Sequence, residues 1–114
     1  ACECGAPDCL EALASGNGIR RVYGKPAEAL TDAEWAEVAY HLGQALRNLA
    51  AIYAPGVITL GGGVAVGGGS RLLDGIRATM AAHTRLVPLP DVRLSALGYD
   101  TALRGAISIA MHGF

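Results

Sequence analysis

Three cysteines stand within the first nine residues, in ACECGAPDCLE, and no other cysteine follows. Their spacing is Cys2-x-Cys4-x4-Cys9. Zinc takes four ligands in a tetrahedron and is commonly held by Cys3His or Cys4 sets. Two cysteines one residue apart, and a third in a tight turn that Gly5 and Pro7 would suit, can bring three thiolates onto one ion. Without a cation, three thiolates in one spot would be unfavourable. The plainer reading is a set of reduced thiols in a cytoplasmic protein, with Cys9 packed as a small hydrophobe. A disulfide scaffold does not fit an odd count, a single cluster and a large aliphatic content. Spacing favours a metal set of Cys2, Cys4 and Cys9. The histidines, His41, His83 and His112, read as surface or core residues and not as a fourth ligand.

Two further features could do chemistry. Glu11 follows Cys9 by two residues, on the first turn of a short helix. Taken alone, it is a favourable charge near the positive end of the helix dipole. GGGVAVGGG, residues 61–69, follows an apolar stretch. Glycines let a backbone approach a ligand closely, and a following helix offers N–H groups to phosphate. The run fits neither GxGxxG nor a GK[ST] phosphate loop, so a tight strand-to-helix turn is the simpler reading.

The elements that must position these residues follow from pattern. Asp8 can cap a short helix, CLEALAS, stopped by Gly16 and Gly18. GIRRVYGKPAEAL reads as one short helix and a proline-marked loop. Thr31 and Glu34 form a capping box. Beyond them Trp35, Val38, Ala39, Leu42, Leu46, Leu49, Ala50 and Tyr53 recur at helical spacing. Pro55-Gly56 ends that helix, and VITL (57–60) is a buried strand. Ser70 can cap SRLLDGIRATMAAH, with Leu72, Leu73, Ile76 and Met80 inward. Pro88 and Pro90 mark a linker before DVRLSAL, a strand in which Val92, Leu94 and Ala96 alternate. Asp100 starts a last helix with Leu103, Ala106, Ile107 and Ala110 on one face. The order helix, strand, helix, strand, helix predicts an α/β layer with short connections.

The totals narrow the function classes. At 114 residues the chain is expected to form one domain, residues 1–114. A formal net charge of −1 argues against an electrostatic grip on nucleic acid, and the longest basic run is Arg20-Arg21. Apolar runs fall short of the ~18 residues a membrane helix needs, and the first residues do not read as a signal peptide. Charged residues make up 17%, against ~25% for an ordinary soluble domain. Such a chain is expected to hide surface against something else. Lacking an initiator Met, with its most distinctive motif at its first residues, it reads as a piece of a longer polypeptide.

CECGAPDCLE resembles the CxCGxxGCxE signature of the ROK family (repressors, open reading frames and kinases). Cys2, Cys4, Gly5, Cys9 and Glu11 match in place, and Asp8 stands where the pattern has glycine. The resemblance continues through the capped helix, APGVITLGGGVA, LLDGIRATM and RLSALGYDTALRGAISIA, over the whole chain. It implies the C-terminal lobe of an actin/hexokinase-like (ribonuclease H-like) ATPase fold, with residues 1–16 as a zinc loop and short helix. It implies structural Zn2+ on Cys2, Cys4 and Cys9, with a fourth ligand from a histidine upstream in an ExGH motif. It also implies that Glu11 accepts hydrogen bonds from sugar hydroxyls, and that the zinc loop splints it. Gly61, Gly62 and Gly63 would line the purine and ribose of ATP, with Val64 and Ala65 supporting the loop.

Phosphoryl transfer needs a carboxylate for the sugar hydroxyl, phosphate contacts and Mg2+. In this family the phosphate loop and catalytic Asp belong to the N-terminal lobe. Asp74, Asp91 and Asp100 read as surface, loop and cap residues, so this chain by itself is expected to be inactive. The leading reading is an ATP-dependent hexose-type sugar kinase. A sugar-sensing repressor of the same family, binding DNA through an upstream helix-turn-helix, is the alternative. A dimerisation module meeting its partner through helix 31–53 is the third, and family members are commonly homo-oligomers.

Overall fold

The computed structural model describes residues 1–113 and places helices over a small parallel sheet. In order these are α1 (Glu11–Ala14), α2 (Gly16–Tyr23), α3 (Asp32–Tyr53), β1 (Val57–Leu60), α4 (Gly63–His83), β2 (Asp91–Leu94) and α5 (Thr101–His112). The backbone of the fold is β1–α4–β2, in which α4 carries the chain from one parallel strand to the other. The strands pair Val57 with Asp91 through Leu60 with Leu94. Ile58, Leu60 and Val92 turn one sheet face toward the core, while Val57 and Thr59 leave the other face open.

α3 begins as its sequence predicts. Thr31 Oγ1 accepts from the Glu34 N–H at 3.3 Å, and Glu34 Oε2 accepts from the Thr31 N–H at 2.7 Å. The Lys25 ammonium lies 2.8 Å from the same carboxylate. It holds the Glu34 carboxyl below its ordinary range, with the Thr31 N–H adding to the effect. A depressed folded-state pKa stabilises above the unfolded value, and that contribution is lost as pH falls through the carboxylate range. Thr31→Ala should therefore cost about 1 kcal/mol, read as a lower thermal unfolding midpoint at neutral pH.

α3 and α4 run parallel in a fixed register. Trp35 lies under the Arg71 guanidinium, a Cβ on Gly75 would fall 2.6 Å from that of Ala39, and one on Gly43 would fall 2.6 Å from Thr79 Cβ. Arg47 Nη1 then donates to the His83 carbonyl at 3.2 Å. Residues one turn apart on α3 thus meet residues one turn apart on α4, and small side chains bring the axes close. Gly43→Ala gains about 1 kcal/mol of helix propensity. It also drives a methyl into Thr79, where overpacking costs about 1–3 kcal/mol. A net loss of stability in denaturant titration is the expected result.

Some sequence expectations fail in this fold. Trp35, Val38, Ala39, Leu46 and Ala50 are buried, but Leu49 and Tyr53 are exposed. They lie on a flank of α3 that no described residue covers, although Ala50 beside them is buried. α4 itself starts at Gly63 instead of Ser70, with the Val66 N–H on the Gly62 carbonyl at 3.0 Å. The helix expected from Ser70 is its second segment, set off by Gly69, whose φ of 55° and ψ of −140° break the spiral. Ala96 lies beyond β2 and is exposed. The face of α5 expected to pack, Leu103, Ala106, Ile107 and Ala110, is open, because only the start of α5 is held by the body of the fold.

Candidate functional site

The cysteine loop is closed by its own backbone. The Cys2 N–H donates to the Ala6 carbonyl at 3.1 Å and the Gly5 N–H to the Cys2 carbonyl at 3.0 Å. These turns draw the three Sγ atoms within 4.8 Å of one another, with Cys4 and Cys9 at 3.3 Å. Tetrahedral zinc with Zn–S near 2.3 Å needs sulfurs about 3.8 Å apart, so the set fits such an ion with small adjustment. Cys2 is buried, Cys9 partly buried and Cys4 exposed. The Ala6 N–H, helped by Cys9, holds the Cys4 thiol below its ordinary pKa. Hydrogen bonding with Cys4 and then Cys2 pushes Cys9 up to about 12. The three sulfurs resist carrying charge together, which a divalent cation would relieve. No histidine joins them among the described residues.

Glu11 opens α1 beside this cluster. Its Oε2 accepts from Cys2 Sγ at 3.3 Å, and the residue is exposed. The expected Asp8 cap is absent: Leu10 occupies the cap position, and α1 is four residues long. The turns of the cysteine loop take up residues 7–8, so Asp8 lies outside the helix. The short helix does stop before Gly16, at Ala14, but Gly16 and Gly18 then open a second helix and not a loop. Ser15 Oγ accepts from the Gly18 N–H at 2.9 Å and starts α2. A Cβ on Gly18 would lie 2.6 Å from the Ala12 carbonyl oxygen. α2 therefore presses directly on α1 and fixes the backbone that carries Glu11. Ser15 three residues before Gly18 was the available signal for this.

The glycine loop lies at the other end of the site. Gly62 has φ of 94°, a conformation side chains disfavour, and Gly61 to Gly63 are all exposed. Ala65 is buried and Val64 packs on the core, as support for the loop requires. The segment after β2 folds over the glycines. Ser95 N–H donates to the Leu60 carbonyl at 2.7 Å, and Thr101 Oγ1 donates to the Gly98 carbonyl at 2.8 Å. A Cβ on Gly61 would meet Thr101 Cγ2 at 2.8 Å, and one on Gly63 would lie 3.7 Å from Tyr99 Cε1. A cavity of about 280 Å3, lined by Gly16, Asn17, Arg20, Gly63 and Val64 among others, joins the start of α2 to this loop. Asn17, Arg20, Tyr99 and Thr101 escape sequence reasoning, because only the fold brings them to the glycines. Asp91 is engaged by Arg93 and lies 4.0 Å from Arg77. Among the described residues no helix is long and apolar enough to cross a membrane.

A model of the ROK family matches residues 1–112. A protein of Bacillus subtilis (strain 168) with the provisional name fructokinase is 46% identical over 59 residues, covering 50% of this chain and 20% of its own length. A glucokinase of Halalkalibacterium halodurans is 29% identical over 136 residues, covering 91% of this chain and 41% of its own. The crystal structure of a ROK hexokinase from Thermus thermophilus matches with a TM-score of 0.74 at 27% identity, over 93% of this chain and 41% of that one. The chain therefore spans about two fifths of the glucokinase and hexokinase chains it matches.

Proposed function

Since the chain belongs to the ROK family and shares the α/β, actin-like ATPase fold of a ROK hexokinase, we propose that it forms the C-terminal lobe of an ATP-dependent hexose-type sugar kinase. Residues 1–114 act as one domain of a longer protein, and residues 1–16 are its zinc loop and short helix. Cys2, Cys4 and Cys9 hold a structural Zn2+, which locks the loop by drawing its ligands to one point. Glu11 accepts hydrogen bonds from adjacent sugar hydroxyls. A carboxylate suits this role because it offers two acceptor oxygens and charge-assisted bonds.

Gly61, Gly62 and Gly63 present backbone to the adenosine of ATP, with Asn17, Arg20 and Tyr99 at the rim. Phosphate contacts, Mg2+ and the base for the sugar hydroxyl come from the N-terminal lobe. Transfer across a cleft needs both walls, so this chain alone has no turnover. The reading rests chiefly on the fold shared with a ROK hexokinase over 93% of this chain. Glu11 follows Cys9 by two residues on the first turn of α1, so whatever locks the loop also aims the carboxylate.

The test is hexose-dependent ADP release from ATP by the polypeptide at the full length of its relatives. Release that requires a hexose supports the kinase. Sugar-dependent DNA binding without ADP release would replace it with the repressor, and a dimer that binds neither sugar nor nucleotide would leave an interaction module.

A further inference from the structure

We propose that the far end of the α3–α4 pair holds a second ligand site, for a phosphomonoester of about sugar size. This goes beyond the sugar-kinase reading and does not depend on it. The parallel register brings Arg47 and Asn48 of α3 level with the end of α4. There the chain turns through Thr84 and Arg85 around a cavity of about 800 Å3. α4 spans 21 residues with a break at Gly69, so at ~1.5 Å per residue this cavity lies at the far end of the helix from the glycine loop, at most roughly 30 Å away. A ligand bound here cannot reach Gly61 to Gly63.

Charge identifies the ligand. The chain carries a formal net charge of −1, yet this cavity is lined by two guanidinium groups and no carboxylate. Arg21, Lys25, Arg71, Arg77 and Arg93 each stand within ion-pair distance of an acid. Arg20, Arg47, Arg85 and Arg104 have no such partner among the described residues, and of these Arg47 and Arg85 share one cavity while Arg20 and Arg104 line others. Arg47 Nη1 is already steadied by the His83 carbonyl at 3.2 Å, which leaves its remaining donors on a fixed fork. Thr84 lines the same cavity, and its Oγ1 is buried without a hydrogen-bond partner. Such an unmet group carries a desolvation cost that a ligand could relieve.

Two guanidinium forks, the Asn48 amide and the Thr84 hydroxyl outnumber the two oxygens of a carboxylate. They match the three terminal oxygens of a phosphomonoester, for which arginine forks are well shaped. Ala51, Ala82 and Val87 give the cavity apolar wall, and its volume leaves room for a carbon skeleton behind the phosphate.

Titration calorimetry on the full chain, in 150 mM chloride as an order-of-magnitude physiological salt, tests this with glucose 6-phosphate, inorganic phosphate and glucose as probes. Saturable binding of glucose 6-phosphate that persists in saturating glucose, and weaker binding of phosphate, are expected. Arg85→Gln and Arg47→Gln should each weaken the phosphate probes about tenfold, and Arg85→Lys less. Arg85→Gln should leave the ligand-free thermal midpoint unchanged, since that side chain makes no hydrogen bond or ion pair among the described residues. The site is overturned if neither phosphate probe binds saturably or if saturating glucose abolishes glucose 6-phosphate binding. It is equally overturned if Arg85→Gln, folded like the parent, binds glucose 6-phosphate as tightly.

Discussion

Glu11→Ala in the full-length protein should weaken sugar binding about a hundredfold, and Cys4→Ser should weaken it comparably. Two charge-assisted hydrogen bonds to sugar hydroxyls are together worth about 3 kcal/mol or more, which corresponds to about a hundredfold in affinity. Glu11→Ala removes the acceptors themselves. Cys4→Ser leaves them in place and removes a metal ligand instead. Its effect must travel through the loop, which is then held by a few backbone hydrogen bonds, at Ala6, Cys2 and Cys9, and by the exposed Glu3–Arg21 pair. Calorimetry for the sugar, paired with metal content of each variant, separates the two. Full sugar affinity in a zinc-free Cys4→Ser protein would sink the splint and leave the sugar contact standing. Unchanged affinity in Glu11→Ala would sink the contact itself.

The order of elements was legible because local signals agreed with one another. The Thr31–Glu34 box, the 3.6-residue stripe behind it, the β-branched VITL run and the alternation at Val92 and Leu94 each point one way, and α3, β1 and β2 form there. The meeting of the three cysteines was legible too, since cysteines at three of eight consecutive positions can hardly avoid one another. The remainder depends on contacts distant in sequence. Leu49 continues the apolar stripe yet is exposed while Ala50 is buried, and the helix's own periodicity does not show which flank its neighbours reach. Gly18 reads locally as a helix breaker, yet in the fold it is the point where α2 meets α1. GVAVGGG looks too rich in glycine for a helix, but Ala65 and Gly68 gain burial there, and tertiary packing overrides propensity. α5 shows the converse: its apolar face is plain in sequence, and no described residue covers it.

Trp35→Ala should cost about 3–5 kcal/mol, the range for truncating a fully buried aromatic, while Trp35→Phe should cost about 1 kcal/mol. Trp35 is 1% exposed and is the largest side chain of the core. Its ring edge fills the space beneath the kink in α4, where a Cβ on Gly68 would lie 2.9 Å from Trp35 Cζ3. The ring thus supports the short helical segment that begins at Gly63, and with it the glycine loop. A chain of this size has only about 5–15 kcal/mol to lose, so Trp35→Ala should be substantially unfolded at modest denaturant concentrations. The phenylalanine variant behaves differently because the indole Nε1 is buried without a hydrogen-bond partner. Removing an unsatisfied donor returns its desolvation cost and offsets part of the lost packing. Denaturant titration followed by far-ultraviolet circular dichroism measures both. A phenylalanine variant as damaged as the alanine one would mean that the indole N–H is bonded in solution, most simply to water. A mild alanine variant would mean that α3 and α4 hold their register without the ring, through the Ala39–Gly75 and Gly43–Thr79 contacts alone.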